Sequence, residues 1–136
     1  MRVVTGVVGN DIHVVANRLI EISLQERGFT VYNLGVNTYL EEFLDALVET
    51  DAELLLISSL NGEAEGWCRD LKILRSSYSF RKDVLFVIGG NLGVGEMDPE
   101  KLGPKYRNYG FDLVYHQVNL NDALDEIEDE LKKRSR

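Results

Sequence analysis

Five short apolar runs alternate along the chain with amphipathic stretches, and this alternation limits the folds open to it more than any other feature. The runs are Val3 to Val8, Phe29 to Leu34, Leu54 to Ser58, Val84 to Ile88 and Phe111 to Tyr115. The first is β-branched and the third almost wholly apolar, as in parallel strands covered on both faces. Between the first two, Val15, Leu19, Ile22 and Leu24 recur at helical spacing, and the pattern stops at Gly28. Thr38 with Glu41 reads as a capping box for a second helix, whose apolar face is Phe43, Leu44 and Leu47. A third helix is predicted over Glu63 to Ser76, carrying Trp67, Leu71 and Leu74. Asp98-Pro99 opens a fourth, and Asn121 to Lys133 makes the last.

Strand–helix units in this order predict an α/β fold: one doubly wound, five-stranded parallel sheet with helices on both faces. The flavodoxin-like (Rossmann-like) strand order 2-1-3-4-5 is the expected one. It opens a ligand crevice beyond the carboxyl ends of strands one and three, where the winding reverses. Unusual residues fall at those ends. Gly9-Asn10-Asp11-Ile12-His13 follows the first strand, Ser58-Ser59-Leu60-Asn61-Gly62 the third, and Gly89-Gly90-Asn91-Leu92-Gly93-Val94-Gly95 the fourth.

Composition narrows the function classes. The 136 residues are 44% hydrophobic and 28% charged, which predicts a single globular domain over 1–136. With 15 Lys+Arg against 23 Asp+Glu the net charge is -8, and no basic patch suits a nucleic acid. The acidic run from Asp122 to Glu130 reads as a solvated helix face. One cysteine, Cys68, excludes an internal disulfide and fits a reducing compartment. The apolar N-terminal run is too short for a signal peptide or a membrane span, so a cytoplasmic chain is expected.

The three loops have a chemical reading. In Asp11-x-His13 the carboxylate can accept a proton from one imidazole nitrogen and leave the other free for a metal. Helix capping explains the same Asp equally well. Four glycines between Gly89 and Gly95 clear side chains from one rim of the crevice and permit positive φ. Ser58 and Ser59 end a buried strand, and their hydroxyls need partners, either a ligand or the neighbouring loop. Other uses of this architecture fit less well. A phosphoryl receiver needs an Asp where Ser58-Ser59-Leu60 stands. A flavin mononucleotide phosphate would meet the acid Asp11. The dinucleotide spacing G-x-G-x-x-G is missing. A hydrolytic zinc site needs three ligands, and besides carboxylates the chain offers only His13, His116 and Cys68. A large, partly apolar ligand whose metal takes one imidazole remains.

Asp11-x-His13-x-x-Ala16, Ser58-x-Leu60 and Gly89-Gly90 together resemble the cobalamin-binding motif Asp-x-His-x-x-Gly, Ser-x-Leu, Gly-Gly. The wording and spacing look like those of the small chain of glutamate (methylaspartate) mutase over nearly the whole length. The resemblance implies adenosylcobalamin as cofactor, with His13 as axial ligand to cobalt and Asp11 on the far side of its ring. It implies a cofactor-binding set of Asp11, His13, Val14, Ala16, Ser58, Ser59, Leu60, Gly89, Gly90, Asn91, Val94 and Gly95. The displaced nucleotide tail would enter the crevice beside the first helix. A separate large barrel chain would hold substrate and complete an isomerase that turns L-glutamate into 3-methylaspartate by radical chemistry. No catalytic residue is expected in this chain alone. Two departures stand out. Ala16 replaces the motif's glycine, and Tyr115-His116-Gln117-Val118-Asn119 replaces the family's Tyr-x-Pro-Gly-Thr. His116 reads as an exposed histidine without a task, or else as a replacement for a loop contact. The alternatives are a corrinoid carrier in methyl transfer and a non-catalytic cobalamin sensor.

Overall fold

A computed structural model describes residues 1–8, 14–59, 64–92 and 99–134. Its strands are β1 (Arg2–Val7), β2 (Thr30–Asn33), β3 (Leu54–Ser59), β4 (Leu85–Gly90) and β5 (Leu113–His116). Its helices are α1 (Val14–Glu26), α2 (Leu40–Thr50), α3 (Ala64–Cys68), α4 (Leu71–Arg75), α5 (Pro99–Tyr109) and α6 (Leu120–Arg134). All strand pairs are parallel, in the order β2-β1-β3-β4-β5, as the alternation predicts. Among the described residues no helix is long and apolar enough to cross a membrane.

The period-two geometry of strands sends alternate side chains to two cores. Val3, Leu54, Leu56, Leu85 and Val87 pack with Leu24 of α1 and Leu124, Ile127 and Leu131 of α6. Val4, Leu55, Ile57, Phe86 and Ile88 pack with Phe43, Leu44 and Leu47 of α2 and with Cys68, Leu71 and Tyr106. All six residues of β3 are buried, which is why that run carries no alternating polar residue. Thr5 is the buried polar residue of β1, and its hydroxyl donates to the Leu56 carbonyl at 2.8 Å. Gly6 is required by packing: a Cβ there would stand 2.9 Å from the Phe43 ring. The turn after α1 is closed by Gly28 at φ +92°, as its glycine predicts.

Four local expectations need correction. The helix predicted over residues 63–76 is two short helices, α3 and α4, with a break at Arg69-Asp70. Asp70 has φ −93° and ψ 8°, outside helical geometry, and both Gly66 and Asp70 are weak helix formers. Thr38 does not cap α2. It is buried and bridges Val8, and its hydroxyl lies 3.4 Å from the carbonyls of Gly35 and Val36. Tyr39 is the residue before α2, and its side chain makes no capping bond. The ladder of β5 begins at Leu113 rather than Phe111. The Asp112 carboxylate already accepts the Phe86 N–H at 2.9 Å, and Phe111 is a core residue of the preceding turn. The apolar face assigned to the first helix is also shifted. Val15 and Leu19 are 74% and 57% exposed, while Asn17 and Leu24 are buried. The residues at 17, 20 and 24 face the sheet and leave a second apolar stripe free. The expected cap Asp98 lies outside the described residues.

Candidate functional site

The register sets Ser58 beside Gly89, and Gly89 beside Tyr115, at the carboxyl ends of β3, β4 and β5. These three residues share the face that looks toward α1 and α6. Between these helices lies a cavity of about 260 Å³. Its floor is Leu56, Ser58, Gly89 and Gly90, with Tyr115 at one side. Ala16, Leu19 and Ile20 of α1 form one wall, and Ala123, Leu124 and Ile127 of α6 form the other. The exposed stripe on α1 therefore borders a cavity, which explains why Leu19 is apolar without being part of the core. Arg27, just after α1, joins the helices by donating to Asp125 at 2.8 Å and to the Asn121 carbonyl at 3.2 Å.

Ser59 Oγ, buried on the face of β3 away from the cavity, has no partner among the described residues, and the buried Tyr115 Oη has the Glu126 carboxylate as its neighbour. Buried polar groups without partners are uncommon. Burial, and the nearby Glu126 carboxylate, raise the Tyr115 hydroxyl above its ordinary pKa, so it stays protonated and able to donate. Burial alone pushes the Cys68 thiol up to about 12, so it is an inert core residue.

Gly90 shows why the second glycine is needed. Its φ is +107°, and an added Cβ would overlap the Ser59 carbonyl oxygen. The chain then turns sharply: the Asn91 N–H donates to the Ser59 carbonyl at 2.6 Å, and the Gln117 N–H donates to the Gly90 carbonyl at 2.9 Å.

Among the expected site residues, Ala16, Ser58, Gly89 and Gly90 meet at one cavity. Ser59 and Asn91 sit directly behind it through the bond just described. Val14 is the first residue of α1. Asp11, His13, Leu60, Val94 and Gly95 lie outside the described residues. Among the described residues no cluster of three His, Cys, Asp or Glu could hold a metal. Sequence reasoning missed Tyr115 and the α6 wall, because Ala123, Leu124 and Ile127 read as ordinary core spacing. Of the two readings of His116, the loop contact holds and the exposed histidine does not. The imidazole is half-buried, and its Nδ1 accepts the Leu92 N–H at 3.1 Å.

The cavity volume decides what it can take. Pockets that enclose a whole ligand measure roughly 300–1,000 Å³, so this largely apolar cavity is on the small side for a whole ligand. Residues 1–102 match the profile of the B12 binding domain. The chain is 39% identical over 96% of its length, and 96% of the relative's, to the glutamate mutase sigma subunit of Carboxydothermus hydrogenoformans. This chain belongs to the glutamate mutase sigma subunit family. Its fold is similar to that of a cobalamin-binding protein from Desulfitobacterium hafniense, with TM-score 0.73, 20% identity and 95% of this chain covered. It is also similar to the monomethylamine corrinoid protein of Methanosarcina barkeri, with TM-score 0.72, 22% identity and 94% covered. The chain spans 58% and 57% of those two proteins.

Proposed function

We propose that this chain is the cobalamin-binding subunit of an adenosylcobalamin-dependent glutamate mutase, and that its cavity holds the cofactor's nucleotide tail. The observation that carries the reading is the cavity itself. Four residues of the three-part motif floor or wall a slot too small for a corrin and suited to a flat base. Its lining is mostly apolar, and Tyr115 and Ser58 supply polar groups at the floor. A ring system this size would then stay outside the slot, over the strand ends where the Asp11–His13 loop follows β1. His13 would bind cobalt, and Asp11 would hold the imidazole from its other nitrogen. The bound cofactor supplies radical chemistry for a carbon-skeleton rearrangement. This chain's own part is to grip the tail, present the imidazole and leave the opposite face of the cofactor open. A large chain with a barrel would cover that face and bind glutamate. The 39% identity to a sigma subunit over nearly all of both chains favours this reading over a methyl-transfer carrier.

Electron spin resonance of the Co(II) form, with nitrogen-15 in the protein histidines, tests the assignment. Axial hyperfine splitting from the labelled nitrogen is expected, and it should vanish in His13→Ala. Asp11→Asn should weaken binding by on the order of 10–100-fold. Splitting from the cofactor's own base would show that His13 is not the ligand.

A further inference from the structure

We propose that His116 is a positioning residue for cofactor binding, which fixes the chain leaving β4 through its Nδ1 acceptor. The inference rests on the cobalamin reading and adds a residue that the motif does not contain.

The segment after β4 leads directly into Gly93-Val94-Gly95, three residues of the glycine-rich motif. Among the described residues, four hydrogen bonds besides those of the regular ladder fasten residues 90–92. Backbone N–H groups of Asn91 and Gln117 make two, to the carbonyls of Ser59 and Gly90. The Tyr106 hydroxyl, itself buried in the core, donates to the Leu92 carbonyl at 3.1 Å. The fourth is the Leu92 N–H to His116 Nδ1 at 3.1 Å. Leu92 is 2% exposed, so without the imidazole its N–H has little access to water. His116 pairs with Gly90 at the end of β5, which places its ring beside the segment it holds. The stretch that follows, Gln117-Val118-Asn119, contains neither proline nor glycine to stiffen or tighten it. The His116 bond ties the end of β5 to the chain leaving β4. Accepting from an N–H requires Nδ1 to be unprotonated, so a neutral ring carries its proton on Nε2.

Three variants separate positioning from bulk. His116→Ala removes the acceptor. His116→Asn puts an oxygen at the branch point that Nδ1 occupies, and His116→Gln moves it one carbon further. Cobalamin uptake by visible absorbance, amide exchange at Leu92 and thermal unfolding are measured on each. His116→Ala should raise the cobalamin Kd by on the order of 10-fold, as loss of a supporting partner does, and should speed exchange at Leu92. His116→Asn should recover most of both, and His116→Gln should recover little. If His116→Ala does not fold, the contrast between Asn and Gln decides. Wild-type affinity in His116→Ala, or equal behaviour of Asn and Gln, overturns the inference while leaving the cobalamin reading intact. Failure of the wild-type chain to take up cobalamin overturns both.

Discussion

Gly90 faces Ser59 across the β3–β4 ladder so closely that a methyl group on it would overlap the Ser59 carbonyl oxygen. Its neighbour Gly89 is different. A Cβ there would stand 3.6 Å from the Tyr115 carbonyl and 3.7 Å from the Tyr115 Cβ, in ordinary contact. The two glycines of one motif therefore do separate jobs, and two alanine variants tell them apart.

Gly90→Ala should destabilise the fold by about 1–3 kcal/mol or more, from its positive φ alone and before any shift of β3. Gly89→Ala should leave urea stability within about 1 kcal/mol but put a methyl on the cavity floor. Its cost should appear in cobalamin affinity, by about 1–3 kcal/mol as for overpacking. Equal stability losses in the two variants would contradict this division.

Much of this arrangement is legible in the sequence, and the reasons differ by element. The parallel sheet follows from uninterrupted apolar runs, because a strand buried on both faces has no polar period, and its order is that of the flavodoxin-like fold. Ser58, Gly89 and Gly90 are legible because small or polar residues at the end of such a run have no packing role. The break at Asp70 is not legible, since Trp67, Leu71 and Leu74 keep helical spacing across it. Nor is the use of His116, because its partner is a backbone N–H that has no sequence signature. The apolar face of α1 is hard to place for a related reason. A cavity wall and a core face are both apolar, and only the tertiary position of α6 distinguishes them.

Ala16 stands on the cavity wall, half-buried, where the motif has glycine. Ala16→Gly removes a methyl from that wall, so cobalamin affinity should hold or improve. It should also cost up to about 1 kcal/mol of fold stability, since glycine is a poor helix former. Titration calorimetry and urea unfolding on both proteins measure the two effects. A clear loss of affinity would mean that the slot is shaped around the alanine methyl.

Stability should fall in alkali. Burial raises the pKa of the Cys68 thiol to about 12 and raises the Tyr106 and Tyr115 hydroxyls. In the unfolded chain a thiol titrates near about 8.5 and a tyrosine near about 10. Below those values both states are protonated and the groups add no pH dependence. Above them the folded state holds more protons, so stability drops as pH rises, by up to about 1.4 kcal/mol per pH unit for each group. Urea midpoints between pH 8 and 11 should therefore decline, first through Cys68 and then through the tyrosines. Cys68→Ala should flatten the part below pH 10. A flat profile across the range would show that these groups open to solvent without unfolding.

The chain should not turn over glutamate by itself. A dicarboxylic substrate calls for arginine clamps, and five of the described arginines are engaged away from the cavity. Arg27 bonds Asp125, Glu128 and Asn121 beside α6. Arg75 lies 3.8 Å over the Phe86 ring and donates to the Gly110 carbonyl. Arg81 pairs with Asp83 and Glu53, Arg134 with Glu130 and Asp112, and Arg18 with Glu21. Among the described residues no arginine lines the cavity. On the proposed reading, substrate recognition comes from a second chain over the open face of the cofactor. Its docking should depend on cofactor, because the corrin would form part of the joint surface. Sedimentation of this chain with a candidate large mutase chain should show a complex with adenosylcobalamin and a weaker one without it. Glutamate turnover by this chain and cofactor alone would refute the division of labour.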